Sequence, residues 1–246
     1  MHGDLTAIVA GVFLLAGVVK GLIGLGLPTI AMGLLTFAMP PSAAASVLLV
    51  PSFVTNVWQL LLGPSVRALA RRLWTLIAGL VAGTLIGGLP TLASAASWTH
   101  AALGWVLVAY GGWGLAAARL PAPGRHEAWL SPVIGYLTGA VTAATGVFVI
   151  PAVPYLQSLQ LGQEELIQAL GLSFTASTLA LALQLGLTSN LQPVDLGVSA
   201  LALAPALLGM YAGEYLRRVI SERAFRRCFF AGIAALGLYM ALAAHA

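Results

Sequence analysis

The chain is short of charge, of cysteine and of acidic residues. Only 7% of its 246 residues are charged, and these comprise one lysine, ten arginines and seven carboxylates. The single cysteine, Cys228, excludes an intramolecular disulfide. There is no alternating strand pattern of the kind that a membrane barrel requires. Hydrophobic residues make up 60% of the sequence, so this composition predicts a membrane protein built entirely from helices.

The residues that usually carry catalysis or bind metal are also scarce. The four histidines (His2, His100, His126 and His245) are scattered over ends and predicted loops. An integral membrane enzyme would need clustered His, Asp or Glu at depth, and the sequence offers no such cluster. We therefore expect no enzyme, no catalytic residue and no metal site. The net charge of +4 is interpreted as a membrane orientation signal, so we expect no nucleic-acid partner.

Eight apolar segments account for almost the whole chain. A membrane-spanning helix needs about 20 largely apolar residues. Two segments are interrupted by glycine and proline, at 5–39 and 129–156, and six are continuous, at 41–63, 73–92, 98–118, 162–186, 195–216 and 224–244. The first residues lack the basic region and cleavage site of a signal peptide, so we take Leu5 onward as part of the mature structure. The connections are too short to contain a soluble domain.

The two interrupted segments are similar to each other. The first carries glycines at positions 17, 21, 24 and 26 followed by Pro28, and the second carries Gly135, Gly139 and Gly146 followed by Pro151 and Pro154. Broken apolar helices at matching positions in two halves of a chain are typical of transport sites, because the interruption exposes backbone groups to a ligand. We therefore predict two repeats, 1–120 and 121–246, each with one broken re-entrant element and three transmembrane helices.

The arginines indicate how these repeats are oriented. They fall into three predicted connections, and positively charged connections face the cytoplasm. All three reach the same side only if segment 129–156 makes no net crossing, as a re-entrant hairpin or two short half-spans would. Three spans per half then give an inverted repeat, with both termini extracytoplasmic and the two glycine-rich tips meeting near the midplane. The arginines are Arg67, Arg71, Arg72, Arg119, Arg125, Arg217, Arg218, Arg223, Arg226 and Arg227.

The order and spacing of these motifs resemble the sulfite exporter TauE/SafE family, also called the toluene-sulfonate uptake permease family. The first half is similar in its glycines at 17, 21, 24 and 26 followed by 40–46, and the second in 142–151, 161–169 and 173–178. Members of that family often have three consecutive glycines where this chain has Gly26-Leu27-Pro28 and Gly146-Val147-Phe148. The resemblance implies secondary transport of a small sulfur-containing anion, such as sulfite or an organosulfonate, with no cofactor, in a bacterial inner membrane.

Several alternatives remain open at this point. An anion channel of the same fold, a transporter of small carboxylates and a membrane scaffold without transport activity would share the same composition. The membrane potential favours export of an anion by about 2.3 kcal/mol per charge per 100 mV. No embedded carboxylate is available to carry a proton or bind sodium for import, so the sequence favours export. Partners other than the anion and the lipid bilayer are not indicated, and a homodimer is left open.

Lys20 is the sharpest candidate for binding the anion. It is the only lysine, and it lies deep in an apolar segment where an ionised side chain costs at least about 2.5–3.5 kcal/mol. The carboxylates all fall at segment ends or in loops, so no internal counter-ion is evident. Either Lys20 is neutral or the ligand supplies the missing charge. The structural alternative is a lysine whose head reaches the membrane interface.

The breaks and the polar faces behind them supply the remaining candidates. Half-helices beginning near Pro28-Thr29 and Gly146-Val147 would direct free N–H groups at an oxyanion. Polar side chains at helical spacing then line one face of each following helix. Small polar residues often only hold helices together, but side-chain amides in lipid need several partners. The predicted substrate-binding residues are Lys20, Gly24, Gly26, Pro28, Thr29, Asn56, Gln59, Thr145, Gly146, Tyr155, Gln168 and Thr175.

Overall fold

A computed structural model describes residues 2–92, 96–116, 120–188 and 193–243, without the side chains of 2–4, 96, 97, 193–196 and 222. Within these residues the protein contains ten α-helices and no β-strand. Arg119 and His245 lie outside the described residues, and so do the side chains of His2, Asp4, Asp195 and Glu222. The all-helical prediction is confirmed for the described part of the chain.

The helices follow one another with short connections. The first five are α1 (His2–Ile23), α2 (Leu27–Leu35), α3 (Pro41–Leu61), α4 (Val66–Ile86) and α5 (Ala96–Ala116). A 3₁₀ turn at Gly124–His126 leads into α6 (Glu127–Thr145), α7 (Ala152–Ser158), α8 (Gln163–Leu187), α9 (Pro193–Leu216) and α10 (Glu222–Ala243). Six helices of the described chain are long and apolar enough to cross a membrane, namely α1, α3, α4, α8, α9 and α10.

Helix α4 begins earlier than the sequence suggested. We expected a span at 73–92, and the helix runs from Val66 to Ile86. Its buried face repeats at Leu69, Leu73, Leu76 and Leu80, so the amphipathic pattern already starts in the arginine-rich stretch. Three arginines of this stretch and three near the start of α10 therefore lie on helices and not in connections, which corrects our assignment of Arg67, Arg71, Arg72, Arg223, Arg226 and Arg227.

The two interruptions have different lengths. The first occupies 24–26, where Gly24 and Gly26 have φ of 73° and 104°, a conformation that favours glycine. Helix α2 follows this interruption and starts at Leu27, one residue before the predicted start. The second interruption is longer, because α7 begins only at Ala152 and not near Gly146-Val147, so that prediction is wrong. Ile150 precedes Pro151, and a residue before proline is disfavoured in the helical region, which delays the helix.

Glycine faces join the helices of the two halves. On α1, a Cβ added to Gly17 or Gly21 would lie within 2.2 Å of a backbone oxygen of α9, and Gly209 and Gly213 of α9 meet α1 in the same way. The contact between α4 and α6 is built alike, with Gly79 and Gly83 on one helix and Gly135 and Gly139 on the other. Such small-residue faces let membrane helices approach closely. The glycines of α4 and α9 therefore pack against neighbouring helices.

The contacts also fix the relative directions of the helices. Positions pair in increasing order between α1 and α9 and between α4 and α6, so these pairs are parallel. They pair in opposite order between α3 and α8, where Ser52 meets Thr178 and Leu60 meets Gln168. Helices α5 and α10 are likewise antiparallel, because Gly104 lies against Ala241 and Gly114 against Phe230. Helices α1 and α3 run side by side in the same direction.

These directions bring the described arginines to one end of the bundle. Helices α1, α3 and α9 all end there, since Gly21 meets the backbone of Glu214 and Lys20 meets the last third of α3. Arg217 and Arg218 follow α9 directly, and Arg67, Arg71 and Arg72 open α4 directly after α3. The Arg72 guanidinium forms an ion pair of 2.7 Å with Glu127 at the start of α6. We call this end the arginine end.

The packing of the glycine faces can be tested with two substitutions in α1. Gly17→Ala places a Cβ 2.2 Å from the Ala206 carbonyl oxygen, so α1 and α9 must separate. We expect the free energy of unfolding, measured by denaturant titration in detergent micelles, to fall by about 1–3 kcal/mol. Gly11→Ala on the same helix meets no atom within 4 Å and should raise it by up to about 1 kcal/mol. Equal effects of the two substitutions would contradict the packing described here.

Candidate functional site

Lys20 lies on α1, one turn before the first interruption, and its side chain is buried against α3. Its side chain is only 5% exposed, so its head is enclosed by the protein. The ammonium group donates a hydrogen bond of 3.0 Å to Thr55 Oγ1 and another to Asn56 Oδ1. The Thr55 hydroxyl donates its hydrogen bond to the Pro51 carbonyl, so toward Lys20 it acts only as an acceptor. Both partners are neutral.

The polar contacts continue from Asn56 to helix α8. Asn56 Nδ2 donates to Ser52 Oγ at 3.2 Å, and Thr178 Oγ1 lies 3.4 Å from the same hydroxyl. Thr178 also donates to the Phe174 carbonyl at 2.7 Å. The buried cluster therefore connects α1, α3 and α8 through Lys20, Asn56, Ser52 and Thr178. Each of these side chains is at most 5% exposed.

No carboxylate neutralises this cluster within the described residues. The ion pair found there joins Arg72 and Glu127 at the arginine end. The backbone of Glu214 lies against Gly21, but its side chain is exposed and lines a groove with Val54 and Trp58 of α3. A buried ammonium held only by neutral oxygens retains much of its desolvation cost. An anion placed beside it would offset that cost.

The first interruption lies one turn beyond Lys20, toward the arginine end. The Gly24 carbonyl accepts a hydrogen bond of 3.4 Å from Gln59 Nε2 of α3. Gly26 packs against the side chains of Val19 and Phe229, and the Thr29 hydroxyl donates to the Gly26 carbonyl at 3.0 Å. Pro28 is the second residue of α2, where its missing N–H has no helical partner to lose. Gly24 thus adjoins the lysine cluster, whereas the Thr29 proton is used within its own helix.

The second interruption contacts a different element. The Thr145 hydroxyl donates to the Val141 carbonyl at 2.7 Å and accepts the Val147 N–H at 3.2 Å. Gly146, with φ of 72°, lies against Met32 in the second half of α2. The expected meeting of the two glycine tips is not confirmed: Gly24 adjoins Gln59 of α3, Gly26 adjoins Phe229 of α10, and Gly146 adjoins Met32 of α2. The second interruption meets the first half through Met32, more than one helical turn beyond Gly26.

Two glutamine amides join α3 to α8 near the arginine end. Gln59 Nε2 donates to the Ile167 carbonyl at 3.1 Å, and Gln168 Nε2 donates to the Leu60 carbonyl at 2.8 Å. Gln168 Oε1 also accepts the Ser65 N–H at 3.0 Å, and the amide fills the space above Gly63. These bonds connect the C-terminal end of α3, the start of α4 and the first turns of α8.

The last two candidates occupy separate positions. Tyr155 on α7 shares a 2.6 Å hydrogen bond with Ser131 and lies 3.4 Å from the Glu127 carbonyl, so it anchors α7 to the start of α6. Thr175 donates to the Gly171 carbonyl of its own helix at 2.7 Å. Within the structure described, neither hydroxyl contacts Lys20. Their predicted roles in binding remain predictions.

Sequence analysis did not name three members of the buried cluster, Ser52, Thr55 and Thr178, as binding candidates. Thr55 contacts Lys20 directly, and Ser52 links Asn56 to α8. Ser52 lay on the predicted polar face of α3, but so did many hydroxyl residues without distinguishing features. Thr55 lies at the edge of that face, three residues after Ser52 and four before Gln59, and only its contact with Lys20 sets it apart.

The Gln168 contacts predict a stabilising role that can be separated from binding. Gln168→Leu leaves the Leu60 carbonyl and the Ser65 N–H without their partner, and each such loss costs about 1–3 kcal/mol when buried. We expect the free energy of unfolding in micelles to fall by at least about 1 kcal/mol. Gln163→Leu, on an exposed position of the same helix, should change it by less than about 0.5 kcal/mol. A neutral Gln168→Leu would refute the role.

Comparison with known proteins agrees with this architecture. The family model described as sulfite exporter TauE/SafE matches residues 9–240, which is nearly the whole chain. No curated protein and no solved structure matches the chain. The match includes both interruptions, the lysine cluster and all or most of each described helix that is long and apolar enough to cross a membrane. The chain is therefore a multi-pass membrane protein that belongs to the sulfite exporter TauE/SafE family.

Proposed function

We propose that this protein is a secondary transporter of a small sulfur-containing anion, such as sulfite or an organosulfonate, and that Lys20 binds the anion. The observation that carries the proposal is a buried ammonium with neutral partners only, next to a helix interruption. Membership in a family named for sulfite export supports the same class of substrate. The lysine cluster and the Gly24 break, together with Gln59, form the site.

A buried positive charge without a counter-ion favours the binding of an anion. A lysine in an apolar span is expensive, and the cost is hard to explain as a contribution to stability. Thr55 and Asn56 orient the ammonium through two of its three N–H groups. The third N–H is then available for an oxygen of the ligand. Charge-assisted hydrogen bonds of this kind are about twice as strong as neutral ones.

The motion that we propose is a rocking of two inverted repeats, 1–120 and 121–246, about this site. The exchange of partners between the halves supports it, since α1 pairs with α9 as α6 pairs with α4. The glycines of these pairs correspond, with Gly17 and Gly21 lying 118 positions before Gly135 and Gly139. The antiparallel pairs α3 with α8 and α5 with α10 are those that a two-fold axis in the membrane plane would produce.

We further propose that the arginine end faces the cytoplasm and that both termini face outward, in a bacterial inner membrane. The positive charge gathered at one end supports this orientation. An anion would then leave the cell with the membrane potential, which is worth about 2.3 kcal/mol per charge per 100 mV. Export is therefore the direction that we propose.

The role of Lys20 can be measured by ligand-induced stabilisation. Sulfite at 100 times its dissociation constant should stabilise the purified protein by about 2.7 kcal/mol, seen as a rise in Tm. Lys20→Met should abolish this rise, because the anion loses its charge partner. Arg71→Met, which removes one exposed positive charge at the arginine end, should leave it unchanged. Stabilisation that survives Lys20→Met would exclude the lysine as the binding group.

A counterflow assay in proteoliposomes distinguishes a carrier from a channel. Vesicles loaded with unlabelled sulfite should take up labelled sulfite transiently above its equilibrium level, and Lys20→Met should eliminate the overshoot. A pore of the same fold would let the label equilibrate without an overshoot, because it has no alternating binding step. Absence of overshoot with retained sulfite permeability would therefore refute the transporter proposal in favour of a channel.

The orientation can be tested with single cysteines placed in a Cys228→Ser background. Ser221→Cys lies at the arginine end, between α9 and α10, and Leu89→Cys lies at the opposite end, beyond α4. A membrane-impermeant maleimide should label Leu89→Cys in intact cells and Ser221→Cys only in everted vesicles. The reverse labelling pattern would place the arginine end outside.

A further inference from the structure

Gln59 has one atom that the protein itself leaves unused. Its side chain is 7% exposed, and its Oε1 is buried and accepts no hydrogen bond from the described residues. A buried carbonyl oxygen without a donor costs free energy comparable to a lost hydrogen bond. Most such atoms in folded proteins have a partner, so this oxygen requires an explanation.

The orientation of this amide is fixed by its other end. Gln59 Nε2 donates to the Ile167 carbonyl at 3.1 Å and to the Gly24 carbonyl at 3.4 Å. Turning the amide over would bring Oε1 against two carbonyl oxygens, which is repulsive. Oε1 is therefore held as a free acceptor, and a partner for it must bring an O–H or N–H group.

The free oxygen belongs to the same site as the lysine. Gln59 lies three residues after Asn56 on α3, and Gly24 lies four residues after Lys20 on α1. Both helices therefore place the amide about 5 Å from the ammonium along the bundle axis, toward the arginine end. At that separation along the axis, one small ligand is long enough to span the ammonium and Oε1.

We infer that the transported anion also carries a neutral hydrogen-bond donor, and that Gln59 selects for it through Oε1. This inference rests on the proposed function, because Lys20 must bind the anionic group. The donor is a hydroxyl rather than an ammonium, since a second positive charge would lie close to Lys20. The substrate class is a small sulfonate or sulfite species that bears an O–H group near its charged oxygens.

The selectivity follows from the cost of leaving Oε1 unpaired. A ligand without a donor occupies the site but cannot satisfy the buried oxygen, whereas its hydroxylated analogue can. Sites built to hydrogen-bond a ligand group discriminate strongly against analogues that lack it. We expect the hydroxylated member of a matched pair to bind at least tenfold more tightly.

The experiment compares two matched pairs on the purified full chain. Dissociation constants are measured for hydroxymethanesulfonate against methanesulfonate and for 2-hydroxyethanesulfonate against ethanesulfonate. The wild type should prefer each hydroxylated anion by at least tenfold. Gln59→Leu should bind both members of a pair alike, with the loss confined to the hydroxylated one. Equal affinities in the wild type, or a preference that persists in Gln59→Leu, would overturn the inference.

Gln184 supplies the control substitution. It is a second buried glutamine, 4% exposed, whose amide atoms also have no partner among the described residues. It lies six residues beyond Thr178 on α8, whereas Gln59 lies seven residues beyond Ser52 on the antiparallel α3. The two amides are thus about 20 Å apart along the pair. Gln184→Leu should keep the tenfold preference, and its loss there would overturn the assignment to Gln59.

Failure of this inference differs from failure of the proposed function. Binding of all four sulfonates that depends on Lys20 but ignores the hydroxyl leaves the transporter proposal intact and removes the role of Gln59. No binding of any sulfonate or of sulfite overturns both. If Gln59→Leu does not fold, because Gly24 and Ile167 lose their donor, the ratio within each wild-type pair still decides the question.

Discussion

The close contact between glycine faces and backbone carbonyls is the constraint on which the rest of this structure depends. Lipid offers no hydrophobic drive between helices, so their association relies on close packing. On α1, Gly17 and Gly21 meet α9 at distances that allow no side chain. This contact fixes the rotation of α1 about its own axis. Lys20, which lies to one side of the glycine face, is thereby turned toward Thr55 and Asn56 of α3.

Helices held in fixed positions by these glycine contacts can keep a group buried even though its desolvation costs free energy. The buried ammonium receives two neutral acceptors, and the unpaired Gln59 oxygen receives no donor from the described residues. Each leaves part of a desolvation cost uncompensated. Both lie beside the Gly24 interruption, where the helix ladder itself is open. A ligand that brings an anionic group and a hydrogen-bond donor would compensate both groups at once.

The sequence predicted the fold class and singled out Lys20, Asn56 and Gln59, but it did not predict which residues lie beside them. A lone charge and an amide in an apolar span are visible in one dimension, since each needs partners. Which helix supplies those partners depends on helix rotation, and that is set by the glycine faces across the bundle. Thr55 was missed for this reason. Gln168 was correctly identified as unusual, but its partners are Leu60 and Ser65 of the first half.

Helix boundaries failed where two local signals competed. The arginines suggested a connection before α4, but the buried leucine face carried the helix through them. Gly146 suggested a helix start, but Pro151 delayed it to Ala152. At α4 the deciding signal is a leucine pattern that extends over more than one turn. At α7 it is the ring of Pro151, which restricts the residue before it. Composition alone reports neither effect.

The proposed repeat is symmetric in its frame and asymmetric in its chemistry. At the offset of 118 that relates Gly17 and Gly21 to Gly135 and Gly139, Thr138 corresponds to Lys20. At the offset of 121 that aligns Ser52-Phe53 with Ser173-Phe174, Ser177 corresponds to Asn56 and Ala180 to Gln59. Thr138 and Ser177 donate to carbonyls of their own helices, at 2.7 Å and 3.0 Å, and Ala180 is apolar. The second half therefore supplies packing surfaces and no counterpart of the charged site. Symmetry would give the transporter its two related conformations, and the single lysine would give it one anion per cycle.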